Sequence, residues 1–213
     1  MVIDHLGFLV FPDVIALRII GRLAWPLFAW ALVIGALHTR ALSRYIVRVS
    51  LWGAVLAGFY AAFMQAFYLN ILLALALSLT LMALWQRLRK TYNLRNVLMF
   101  GGAVILTSVL CRYVETDYGF WGIMTPVMAY MVCLEKDLTY PLDRHPAFWM
   151  FALGLCVTAF VKGWVQPFSL LALVFIAMTD GSKGDKVPSL FFYIFYPAQF
   201  VLVYAAGLLL GRL

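Results

Sequence analysis

Acidic residues are scarce: Asp and Glu number nine in 213 residues, Lys and Arg sixteen, and charged side chains together make up 12% of the chain. A water-soluble domain carries about 25%. The deficit excludes a soluble fold, because the 65% of residues that are hydrophobic exceed what one core of this length can bury. Cysteine is almost as rare. Cys111, Cys133 and Cys156 each stand alone in an apolar run, with no pair at metal or redox spacing, and read as small buried hydrophobes. Neither a metal site nor a disulfide framework is expected. The chain also lacks an internal repeat, a soluble linker and the G-x-S-x-G, G-x-G-x-x-G and G-x-x-x-x-G-K-[ST] patterns of nucleophile elbows and phosphate loops. Its first apolar run has no positive start and no small-residue cleavage site, so it is not read as a signal peptide. The net charge of +7 is dispersed in short gaps between apolar runs, which argues against a nucleic-acid partner.

Long apolar runs are what remains. An apolar stretch of roughly 20 residues spans a bilayer, and here such runs nearly touch: 14–37, 47–68, 69–86, 97–111, 119–134, 147–162, 164–179 and 189–210. The reading is an all-α polytopic membrane helix bundle, residues 1–213 as one domain, with about eight spans. Several are short for a bilayer, which implies local thinning or shelter among neighbours. The opening Met1–Phe11 is a half-span, expected to be the end of a helix whose first half lies upstream. Of the sixteen basic residues, eleven fall in the gaps after the first, third, fifth and seventh spans: Arg40, Arg44, Arg48, Arg87, Arg89, Lys90, Arg95, Lys136, Arg144, Lys183 and Lys186. Arg18, Arg22, Arg112, Lys162 and Arg212 fall on the other side. The eleven-residue side is expected to be cytoplasmic, with both chain ends outside. Pro26 should kink the first span and free a carbonyl. The Gly-rich Asp180–Lys186 reads as a cytoplasmic loop.

Polar groups at the less basic side need explaining, because they are costly near hydrocarbon. Asp4 and His5 fall at the outer end of the half-span, and Arg18 and Arg22 open the first span one helical turn apart. Asn70 begins the third span, and Asp117 and Tyr118 begin the fifth. All seven are expected at the outer face, where they can converge. Each has a plain reading too: snorkelling for the arginines, helix caps for Asn70 and Asp117, and an interfacial aromatic belt for Tyr193 and Tyr196. His38 and His145 read as solvated span ends.

Five elements stand in order along the chain: Met1-Val-Ile-Asp4-His5; Gly21-Arg22-Leu-Ala-Trp-Pro26-Leu-Phe28-Ala-Trp, followed by Gly35 and His38-Thr-Arg40; Asn70-Ile71-Leu72; Asp117-Tyr118-Gly119-Phe-Trp-Gly122; and Phe195-Tyr196-Pro197-Ala-Gln199. They resemble the elements M-x-x-D-H, G-R-x-A-F-P-L-F-A, N-I-L-F, Y-G-x-x-G and F-Y-x-x-H-L of the TraX family of pilin acetylases. One departure is Gln199, which stands where that family has histidine. The resemblance implies a multi-pass enzyme of the bacterial inner membrane that acetylates the N-terminal amine of a conjugative pilin subunit from acetyl-CoA. It also leaves room for pilin cyclisation by transpeptidation, or for a non-catalytic pilin assembly factor or transporter. Under this reading His5 is the base, with Asp4 or Asp117 fixing its tautomer. Arg22 and Arg18 neutralise a donor phosphate or the oxyanion, and Asn70 and Tyr118 donate to the thioester or peptide carbonyl. Tyr196 and Gln199 complete the set. The pH limb of the reaction is expected near the ordinary histidine value.

Overall fold

The computed structural model describes every residue except 65–67, 136, 137, 139, 180–188, 212 and 213, together with the side chains of 63, 64, 189–193, 196, 197 and 200. The Asp180–Lys186 loop, Lys136, Arg212 and the side chains of Tyr193 and Tyr196 therefore lie outside the described residues. A short helix α1 (Val2–His5) passes into a wider turn, Leu6–Val10, and folds back on α2 (Ile15–Gly21). Then follow α3 (Ala24–His38), α4 (Leu42–Met64), α5 (Ile71–Lys90), α6 (Leu94–Tyr113), α7 (Gly119–Glu135) and α8 (Pro146–Lys162). A 3₁₀ stretch, Gln166–Leu171, leads into α9 (Ala172–Ala177), and α10 (Ser189–Leu209) closes the chain. Among the described residues there is no strand, only an isolated bridge between Leu69 and Thr116.

Each expected run contains helical backbone among the described residues, and the first four are matched by stretches of span length. Four stretches are long and apolar enough to cross a bilayer by length and composition: Ile15–His38, Leu42–Ala62, Ile71–Lys90 and Leu94–Tyr113. Helices α7 and α8 have 17 residues each, and Gln166–Ala177 is shorter still. The outer helix α6 has a surface suited to hydrocarbon. Ile105 and Leu106 are 65% and 69% exposed, an arrangement that water would penalise. The interior is built on α3, α5, α7 and α8, with Leu79, Val127, Tyr130 and Phe151 fully enclosed. Buried hydroxyls are satisfied there: Ser78 donates across to the Ile123 carbonyl at 2.8 Å.

Pro26 breaks the first span as the missing donor requires. The residue four before it is Arg22, where α2 ends and a tight turn leads into α3. Exposed residues at the two ends of α6 make the orientation testable. Tyr92 is 85% exposed and Tyr113 is 84% exposed. With the native cysteines replaced by alanine, an impermeant maleimide on intact cells should label Tyr113→Cys and spare Tyr92→Cys until the membrane is opened. The reverse pattern would put the polar end of the bundle inside the cell.

A recessed cluster of charged and phenolic side chains

The outer ends of the helices do not meet at one level. Asn70 donates from Nδ2 to the Gly53 carbonyl at 2.8 Å, and α4 continues for eleven more residues, to Met64. At 1.5 Å per residue that is about 16 Å of helix beyond Asn70. The seven polar residues expected at the surface therefore gather below the end of α4, not at its tip. The cause is extended backbone that turns inward: the Leu69 N–H donates to the Glu115 carbonyl at 3.0 Å, joining Tyr68–Asn70 to Val114–Tyr118. Irregular backbone at such depth is tolerated where protein surrounds it.

Helix α1 brings in the acid. An added Cβ on Gly21 would lie 2.3 Å from Asp4 Cβ and 2.6 Å from its Cα, so only glycine lets α1 seat on α2. Arg18 then pairs with Asp4 Oδ1 at 3.0 Å, donates to the Asp4 carbonyl at 3.3 Å and sits 5.1 Å over the Phe8 ring. These contacts spend its guanidinium on holding the α1 turn to α2. Arg22, one turn on, lies beside the Tyr118 phenol instead, and its buried Nε has no hydrogen-bond partner among the described residues. Tyr118 is stacked on Trp25 at 4.3 Å and rests over Gly122, where a Cβ would fall 2.2 Å from Tyr118 Cβ. Gly119 opens α7 at φ +64°, a conformation natural only for glycine. The Y-G-x-x-G element is thus a seat for the Tyr118 ring.

Asp117 accepts a short hydrogen bond from the Tyr68 hydroxyl. Burial pushes its carboxyl above the ordinary carboxylate range; the Tyr68 bond opposes this, Asp4 adds to it, and Lys162 and Arg22 oppose it. Lys162, at the end of α8, anchors the same turn by donating to the Thr116 carbonyl at 3.0 Å. Burial likewise raises the Tyr118 phenol, which stays neutral and able to donate.

His5 departs from expectation. Burial drives its imidazole down to about 4, with the Asp4 charge opposing only in part. It is neutral at physiological pH, and a limb near the ordinary histidine value is not expected from it. Asn70 realises its capping role: Oδ1 accepts from Leu72 N at 3.1 Å and Leu73 N at 3.2 Å, a bond pattern worth about 1 kcal/mol. With Nδ2 on Gly53, its amide shapes the site's floor. Gln199 is 3% exposed on α10, and neither amide atom has a hydrogen-bond partner among the described residues. His145 caps α8 by accepting from Ala147 N at 3.1 Å and is buried, not solvated.

Tyr68, Lys162, Gln166 and Ser169 were not singled out by sequence reasoning. Lys162 carried the same signal as Arg18 and Arg22, a cation at the less basic end. Gln166 and Ser169 are 3% and 0% exposed, and Gln166 Nε2 and Ser169 Oγ have no hydrogen-bond partner among the described residues. At i and i+3 of a 3₁₀ helix they share one edge.

An all-helical chain with lipid-suited outer helices and a sheltered cluster of two acids, two arginines and a lysine has the form of a membrane protein with an interior polar site. The sequence profile of the TraX protein family matches residues 1–206, and the chain belongs to that family. It is also 28% identical, over 238 aligned residues, to a probable fimbrial assembly protein FimC, serogroup H1, of Dichelobacter nodosus. That alignment covers 99% of this chain and 92% of the relative. No solved structure gives a significant match.

Proposed function

We propose that this chain is an acyltransferase of the bacterial inner membrane that acetylates the N-terminal amine of a pilin subunit from acetyl-CoA. The observation that carries the reading is the convergence of Asp4, Arg22, Asp117 and Tyr118, from separate segments, into one recess. Family membership and the fimbrial-assembly relative support a pilin as the acceptor. An α-amine has a pKa near 8 and must shed a proton to become an amide nitrogen. Its nitrogen attacks the thioester carbonyl carbon and a C–N bond forms. The C–S bond then breaks, and the departing thiolate takes up the proton that Asp117 has received from the amine. Asp117 is given that role over His5 because its buried carboxyl sits on the turn that carries Tyr118 and is held above the ordinary carboxylate range, whereas burial lowers the His5 imidazole. The unengaged Nε of Arg22 and the Tyr118 hydroxyl face the oxyanion as it develops. The Asp4–Arg18 pair fixes the α1 turn, and neutral His5 beside it serves as a hydrogen-bonding partner for the peptide.

Mass spectrometry of the pilin expressed with and without this chain tests the reading. A gain of one acetyl group on the N-terminal residue is the expected result. Loss of one water would instead indicate cyclisation. An unchanged mass, with pilus assembly still dependent on the chain, would make it the non-catalytic assembly factor that the relative's name describes.

A further inference from the structure

A cavity of about 690 Å³ lies between α1, α3, α4 and α5, with Phe195 of α10 on its rim. That is within the usual size range for small-molecule sites. Its wall on α3 runs from Phe28 through Gly35 to Thr39, residues that share one helical face, so the cavity follows α3 for about 16 Å. The two ends differ in chemistry. At the inner end lie Ile3 and Ile71, the chain neighbours of Asp4 and Asn70 in the recessed cluster. At the other end lie Tyr45 and Arg48, in the first turns of α4. Arg44 is one turn before Arg48 on the same face and is exposed, and Arg40 precedes the helix. The cavity thus runs along a mostly apolar wall from Arg48 to Ile3 and Ile71, whose chain neighbours Asp4 and Asn70 belong to the polar cluster.

We propose that this cavity is the donor site, taking the pantetheine arm of a coenzyme A thioester from the arginine-rich end, with Arg44 and Arg48 on its phosphates. The inference rests on the acyl-transfer reading above and gives it a route. By the positive-inside rule the arginine-rich end is cytoplasmic, where the donor is made, whereas the cluster lies toward the opposite ends of the same helices. A slim chain with a polyanionic head fits a narrow apolar passage headed by several arginines. A phospholipid, with two acyl chains and a single phosphate, matches neither the passage nor the number of charges. Thr39 and Tyr45 supply hydroxyls for the amides of the arm.

The test uses purified full-length protein in detergent with radiolabelled acetyl-CoA and no pilin. Equilibrium binding should be saturable and should weaken at least about tenfold in the Arg44→Gln/Arg48→Gln double variant, since charge-assisted contacts to phosphate are lost. Ala31→Trp, which narrows the cavity from its α3 wall, should bind poorly while eluting as a normal monodisperse species. To locate the ligand, Ala31→Cys on the cavity wall, in a background lacking the native cysteines, should be shielded from maleimide by acetyl-CoA and not by phosphatidylglycerol vesicles. No saturable binding, or shielding by the vesicles equal to that by acetyl-CoA, overturns the proposal. The two readings fail separately. A pilin that is acetylated while Ala31→Cys stays unshielded leaves the enzyme and removes this route. Shielding alongside an unmodified pilin leaves the donor site and removes the acceptor.

Discussion

Asp117→Asn should lower the rate of pilin acetylation by about 10²–10⁴-fold, the range typical for loss of a general acid–base group, with the protein still inserted and able to bind acetyl-CoA. The carboxyl lies on the turn joined to Tyr68–Asn70, takes the Tyr68 hydroxyl, and is held above the ordinary carboxylate range by burial. A base with a raised pKa is charged only above that pKa. The wild-type rate should therefore rise with pH through a limb above the ordinary carboxylate range, and that limb should be missing in the asparagine variant. Stability should move the opposite way. The folded carboxyl holds its proton more tightly than the unfolded one, so its contribution is full below the unfolded pKa and is lost as pH rises through the folded pKa. Above that window Asp117→Asn should be at least as stable as the wild type in thermal unfolding. A limb that persists in Asp117→Asn and lies near 4, disappearing instead in His5→Ala, would return the base to His5.

The helices were legible in the sequence because a long apolar run leaves the backbone in lipid no other partner than itself. Such runs predict an all-helical chain, and the first of them breaks at Arg22, four residues before Pro26. Depth was not legible. Nothing in the composition of Tyr68–Asn70 or Val114–Tyr118 signals that two short extended pieces pair and turn inward, since neither has a strand's alternation over several residues. That pairing is what sinks the cluster below the end of α4 and gives Asp117 its partner in Tyr68. The division of labour between Arg18 and Arg22 was equally hidden. Their spacing put both on one face, but Asp4 and Phe8 claim Arg18 only once α1 docks against Gly21. The run 164–179 looked like one more span; its first half is a 3₁₀ helix that buries Gln166 and Ser169. Hydropathy averages over such residues, because two polar side chains among many apolar ones barely change the mean.

Of the two arginines, Arg22 should be the one that substitution by lysine cannot spare. Arg22→Lys keeps a positive charge at the bend before Pro26 but replaces a planar fork with a compact ammonium. The wild-type guanidinium lies beside the Tyr118 phenol and presents an Nε without a hydrogen-bond partner among the described residues, so it can serve the phenol and a second acceptor together. Lysine has no fixed second donor to offer in that geometry. If that second acceptor is the oxyanion, the loss matches removal of one preorganised donor, about 10²–10³-fold in turnover. Acetyl-CoA binding should change little, because the arginines assigned to the phosphates lie at the other end of the cavity. Arg95→Lys, on the exposed first turn of α6, serves as the comparison and should retain the wild-type rate. Membrane abundance of both variants, read by immunoblot, separates chemistry from insertion. Arg22→Lys turning over at the wild-type rate would reduce Arg22 to a charge that steadies Tyr118, and the oxyanion would then have to be met by Tyr118 alone.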